Sequence, residues 1–213
     1  MNLAEAPRDC PVCPRLVAYR AANATAEPSW FNGPAPSFGD ADARLLIVGL
    51  APGRTGANRT GRPFTGDYAG DLLYGTLTDL GLARGTYAAS PDDGLTLHGV
   101  MITNAVRCAP PQNKPTPQEI AACNGFLAAR VAALPSLKVM VALGRIAHDA
   151  ALKALGRKAS AAAFGHGARH TLGGLTLFDS YHCSRYNTQT RRLTAQMFAD
   201  VLRTARDAAG IAP

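Results

Sequence analysis

Apolar positions gather into four short runs separated by longer stretches of mixed polarity: RLLIVGL at 44–50, LHGVMITNAV at 97–106, KVMVALG at 138–144 and LTLFDSYH at 175–182. Nearly continuous in their apolarity and rich in β-branched residues, these runs read as strands buried on both faces. Between them, DLLYGTLTDLGLA (71–83), TPQEIAACNGFLAARVAAL (116–134) and RIAHDAALKALG (145–156) space their apolar residues as helices do. Strands alternating with helices predict an α/β fold, a parallel sheet covered on both sides. Thr116-Pro-Gln-Glu119 is a capping box with Pro117 at the first helical position, which fixes one helix start. A final helix is expected within RRLTAQMFADVLRTARDAAG (191–210), with Leu193, Met197, Val201 and Ala205 on its buried stripe and Gly210 ending it. Residues 21–40, rich in Ala, Pro, Gly and Asn, are expected to form an ordered surface loop.

At 213 residues the chain has the length of one α/β domain, taken as 1–213, and can bury a core without disulfides. Twenty-two Lys and Arg against 15 Asp and Glu leave a formal charge of +7, which favours acidic partners such as nucleic acid. No stretch approaches the roughly 18 apolar residues of a membrane span, and MNLAEAPRDCP lacks the features of a secretory signal. A cytoplasmic protein with no membrane partner is expected.

Five cysteines in a reducing compartment point to metal or cluster ligation before disulfides. Cys10 and Cys13 form a C-x-x-C pair, while Cys108 and Cys123 are separated by fourteen residues. Four thiolates serve zinc or an iron-sulfur cluster, and the absence of a second short pair favours a structural 4Fe-4S cluster. Buried apolar thiols are the plain alternative. Cys183, left over beside His182, reads as a small residue near a site; a Cys-His nucleophile is disfavoured because neighbours on a strand point to opposite faces.

The first strand empties into GLAPGRTGANRTGRPFTGD (49–67), which holds five glycines. It has no lysine, so it is not the phosphate loop of a nucleoside triphosphatase. Pro52 stands where a dinucleotide fingerprint would open a helix. In open α/β sheets, ligands sit beyond the carboxyl ends of the strands, where the loops starting at Ala51, Arg107 and His182 emerge together.

GLAPG, GRPFTGD, TNAVRCAPPQNKPTP, VALGRIA and SYHCSRYNTQTRRLT, in this order, closely resemble uracil-DNA glycosylases of the family five (UDGb) branch. The resemblance runs from CPVCPRL to the last helix. It implies a three-layer α/β/α sandwich around a four-stranded parallel sheet, with a 4Fe-4S cluster on Cys10, Cys13, Cys108 and Cys123. The implied activity is a monofunctional, monomeric repair glycosylase that flips uracil, or another deaminated base such as hypoxanthine, from damaged DNA and hydrolyses its N-glycosidic bond.

Where the wider superfamily often carries a water-activating Asp or Asn after the first strand, this chain has Ala51. Asp67 is the candidate replacement, positioning water or stabilising the sugar cation; its alternative role is a helix N-cap. Asn104 can read the base edge through its carboxamide. His182 can donate to the base oxygen that becomes negative. Phe64 stacks on the base, and Gly49, Ala51 and Gly53 complete the base pocket. Expected DNA contacts are Arg54, Asn58 and Arg59 in the first loop, then Arg185, Tyr186, Asn187, Gln189, Arg191 and Arg192 in the last motif, with Tyr186 as a wedge. Two other readings stay open: an iron-sulfur nucleic-acid binder without catalysis, suggested by Ala51, and a zinc-bound esterase using Cys183 and His182.

Overall fold

A computed structural model describes residues 4–212. In chain order the first half contains α1 (Pro14–Ala26), β1 (Phe38–Gly39), β2 (Leu45–Gly49), α2 (Ala57–Thr60), α3 (Tyr68–Asp79), β3 (Ala83–Arg84), β4 (Thr96–Leu97) and β5 (Val100–Asn104). The second half contains α4 (Pro117–Ala132), β6 (Val139–Leu143), α5 (Arg145–Ala154), β7 (Arg169–Leu172), β8 (Leu175–Ser180), α6 (Arg185–Gln189) and α7 (Ala195–Ala209).

The four predicted strands form the parallel centre of the sheet in the order β5-β2-β6-β8. Two short antiparallel strands, β1 against β5 and β7 against β8, extend it to six. Every residue of β2, β5 and β6 is buried, which is why these runs lack the alternation of a one-faced strand. Alternate side chains nevertheless serve different layers. Leu45, Ile47, Val100, Ile102 and Val141 pack towards α3 and α7, while Leu46, Val48, Met101, Met140 and Ala142 pack towards α4 and α5. Phe198 and Leu202 of α7 are fully buried in the first layer, each stabilising it by about 1.5–3 kcal/mol.

Helix ends follow the sequence signals closely. Thr116 accepts from the Glu119 amide at 3.2 Å while Glu119 accepts from the Thr116 amide at 2.7 Å, completing the capping box. The last helix begins later than the apolar pattern indicates, because Thr194 caps it through the Met197 amide; Gly210 ends it with φ of 69°. Two predicted loops are partly helical. Residues 21–26 finish α1, which buries only Leu16 and Asn23 and so presents no apolar stripe, and residues 185–189 form α6 behind the cap Ser184.

From β2 the chain crosses to β5 on one side, then back past β2 to β6 on the other, so the strand order reverses at β2. The crevice that such a reversal opens lies at the carboxyl ends of the strands.

Candidate active site

A cavity of about 570 Å³ occupies that crevice, within the range of small-molecule sites. The loop after β2 contributes Ala51, Gly53 and Thr55, the approach to α3 contributes Phe64 and Asp67, β5 ends in Asn104, and the segment after β8 adds His182 and Arg185.

Asp67 is an N-cap whose second carboxylate oxygen is left free of that duty. Its Oδ1 accepts from the Gly70 amide at 3.0 Å and caps α3. Its Oδ2 faces the β2 loop, where a side chain on Gly56 would come within 2.8 Å of it and one on Gly53 within 3.4 Å. Those two glycines leave the carboxylate open to the cavity.

Phe64 has a left-handed backbone, φ 56°, which a bulky residue adopts only under constraint. A buried frame supplies that constraint. Tyr74 donates to the Pro63 carbonyl at 2.7 Å and Tyr87 to the Phe64 carbonyl at 3.3 Å. Arg62 donates to Thr65 at 2.8 Å and forms a two-pronged pair with Asp93 at 2.8 and 2.7 Å. Both partners of that pair are buried to within 3%, and hydrogen bonding from Arg62 holds the Asp93 carboxyl well below the usual carboxylate range. The guanidinium also lies 5.0, 5.2 and 5.6 Å from the rings of Phe38, Tyr74 and Tyr87.

The ring of Phe64 stacks on His182 at 6.0 Å between centroids, with 27° between planes. Burial lowers the His182 pKa, opposed by the charge of Asp67, so a neutral imidazole faces the cavity at neutral pH. Asn187 donates to the His182 carbonyl at 2.8 Å and so braces the loop. Asn104 is buried, yet no hydrogen bond from another described residue engages its carboxamide. Gly49 makes room for it: a Cβ there would lie 2.5 Å from both Asn104 Oδ1 and Phe64 Cζ.

The predicted DNA contacts divide. Arg59, Arg185, Tyr186, Gln189, Arg191 and Arg192 are exposed, Tyr186 at 71%. Asn58 is not: it is buried and donates to Asn32 at 3.0 Å, bracing the loop from inside. Arg54 is half-exposed and donates to Asn23 at 2.7 Å, tying the loop to α1. Cys183 lies fully buried in the core, its thiol raised by burial and directed at the Ala69 carbonyl at 3.5 Å, so the Cys-His esterase reading lacks an accessible nucleophile.

Cys10, Cys13, Cys108 and Cys123 line a second cavity with Leu16, Val106 and Phe126. Two of these sulfurs already accept hydrogen bonds, Cys108 from Arg20 at 3.6 Å and Cys123 from the Arg107 amide at 3.3 Å. A single tetrahedral zinc with bonds of about 2.3 Å would draw its sulfurs to roughly 3.8 Å apart. Among the described residues, no three of these sulfurs lie within 4.8 Å of one another. The trio that does converge, His148, His170 and Asp179, is a closed network: Asp179 accepts from His148 at 2.7 Å and His170 at 3.1 Å.

Several contributors carry no clear sequence signal, Thr55, Tyr68 and Ser184 in the lining among them. Asn113 reaches the cavity from the connection between Cys108 and Cys123, with φ of 57°. The Arg62, Asp93, Tyr74 and Tyr87 frame left one trace, a glycine at position 70 inside a helix.

Fold and cavity together define an α/β/α protein with a ligand site at the reversal point of a parallel sheet. Residues 36–206 match the model of the uracil DNA glycosylase superfamily. A type-5 uracil-DNA glycosylase of Thermus thermophilus is 50% identical over 95% of this chain and 94% of its own length. One of the same type from Pyrobaculum aerophilum is 44% identical over 95% of this chain and 90% of its own, and a type-4 enzyme of that organism is 34% identical over 74% and 67%. The chain belongs to the uracil DNA glycosylase superfamily.

Proposed function

We propose that this protein excises uracil from DNA by hydrolysing the N-glycosidic bond. The observation that carries the reading is the convergence of Asp67, Asn104, His182 and Phe64 on one cavity in a member of this superfamily. In the reaction the C1′–N1 bond breaks with its electron pair leaving on the base, a water oxygen bonds to C1′, and the water's proton is released. Asp67, a carboxylate opposite the sugar, orients that water and offsets positive charge on the ring. His182 donates its imidazole N–H to the oxygen of the departing base, and Asn104 pairs with the base edge while Phe64 covers its face. Asn104 thus finds in the flipped base the partner it lacks in the protein.

Arg59, Arg185, Arg191 and Arg192 meet phosphates, so affinity falls with salt. No lysine lines the cavity among the described residues, which supports simple hydrolysis without a Schiff base. Ala51, small where a larger polar group would narrow the cavity, supports acceptance of deaminated purines such as hypoxanthine beside uracil.

Cys10, Cys13, Cys108 and Cys123 are the residues that would hold a 4Fe-4S cluster, which when bound cross-links the N-terminal segment to the loop after β5. The lining of one cavity by all four thiols supports that role, and the tethered loop is the one that carries Asn113 to the active-site cavity. The reading is tested by incubating the protein with uracil-containing and hypoxanthine-containing duplexes and treating each with alkali. Strand breaks at the lesion are expected, and their absence on both duplexes with folded protein counts against it.

A further inference from the structure

Across α2 from the active-site cavity lies a second concavity of about 600 Å³, bordered by Trp30, Phe31, Arg59, Thr60 and Pro91. Two aromatic rings and the Arg59 guanidinium line it, and two further guanidinium groups lie over the rings. Arg54 lies 5.0 Å from the Trp30 centroid and Arg8 4.0 Å from that of Phe31. Both are held in place, Arg54 by Asn23 and Arg8 by the Phe31 carbonyl. Arg59 differs: it is exposed, and its guanidinium has no hydrogen-bond or ion-pair partner among the described residues. Glu27, 3.9 Å from Arg54, offsets part of the charge there, and Arg59 is the charged residue in the lining.

Arg59, which lines the groove, reaches from α2 to the edge of the active-site cavity. Gly66 lines the active-site cavity, and a Cβ on Gly66 would lie 2.8 Å from Arg59 Nη2. A ligand leaving the cavity past Gly66 therefore meets Arg59 first and the aromatic pair next. Aromatic rings flanked by cations match a chain of flat bases on an anionic backbone, the combination by which single strands are held without sequence preference. An acidic peptide would use the cations and leave the rings idle.

We infer that this groove receives the DNA strand adjacent to the flipped nucleotide, with a base stacked on Trp30 and Arg59 on the intervening phosphate. The inference rests on the glycosylase reading of the neighbouring cavity. Its consequence is that the enzyme holds an unpaired flank, so that single-stranded DNA binds as well as duplex.

Trp30 is the chain's single tryptophan, so its emission reports the groove directly. The full-length protein is titrated with a uracil-free single-stranded oligonucleotide carrying a distant fluorophore, and with an abasic sugar-phosphate chain of equal length. Saturable quenching of Trp30 by the first and none by the second is expected, with Trp30→Ala weakening oligonucleotide binding about fivefold or more. Binding seen by anisotropy with unchanged Trp30 emission, equal quenching by the abasic chain, or no binding at all would overturn the inference. The emission arm uses unaltered protein and stands even if Trp30→Ala does not fold. Uracil release from a duplex is measured on the same preparation: its absence with quenching intact sinks the reading of the cavity alone, and its presence with silent Trp30 sinks the groove alone.

Discussion

Substituting Gly70 by alanine sets two physical arguments against each other. Gly70 lies in the first turn of α3, where alanine is favoured over glycine by about 1 kcal/mol on helix propensity. The packing says the opposite. A Cβ at this position would lie 1.8 Å from the Phe64 carbonyl oxygen and 2.8 Å from the Tyr87 hydroxyl. Restoring a 3.0 Å contact needs the Phe64 carbonyl or the helix to move by about 1.2 Å. Since the main obstacle is backbone, the cost falls at the upper end of overpacking, about 3 kcal/mol. Less the propensity gain, the net loss is about 2 kcal/mol, or roughly 4–8 °C in Tm for a domain of this size. Phe64 is also the residue stacked on His182, and a displacement near 1 Å at a reacting centre costs about a hundredfold in rate. Thermal unfolding and single-turnover uracil release measure both effects. A Gly70→Ala protein that is more stable than the parent and equally fast would refute the frame as the origin of the Phe64 conformation.

Asp67→Asn keeps a good N-cap while removing the charge, so stability should change by less than about 0.5 kcal/mol and single-turnover release should fall about 10²- to 10⁴-fold; an unchanged rate would leave Asp67 with capping alone. Burial lowers the His182 pKa and Asp67 raises it, so release should show no His182 titration as pH falls to the ordinary histidine value of about 6.5, with any inflection from this group lying below it. In Asp67→Asn the His182 titration, followed by NMR, should move lower still, and an upward move would contradict the assigned cause. Because folding depresses this pKa, its contribution to stability is present above about 6.5 and is lost as pH falls through the folded value. Asp93→Ala should cost about 3–5 kcal/mol by stranding Arg62, read as a lower urea midpoint; a shift under about 1 kcal/mol would show the pair to be dispensable.

The layering was legible because β2, β5 and β6 are buried on both faces and their apolarity is unbroken. α1 was not, since it buries two side chains and leans on the cysteine-lined region through Leu16. Asp67, Asn104, His182 and Phe64 were singled out through the resemblance, and their meeting in one cavity was legible because loops at three strand ends converge in a parallel sheet. Asn58 misled because asparagine serves a buried loop bond as readily as a phosphate, and only the Asn32 contact, 26 residues away in sequence, distinguishes the two. The frame around Phe64 joins residues up to 31 apart, Arg62 with Asp93, and such pairings leave no periodic signal.

Free uracil is the most direct readout of the proposed hydrolysis, quantified by chromatography after the unaltered protein is incubated with a uracil-containing duplex, with strand integrity checked before any alkali is added. One uracil released per lesion and an intact phosphodiester backbone are expected. Tight binding of the duplex with no uracil released, or strand scission coincident with release, would contradict the proposed hydrolysis.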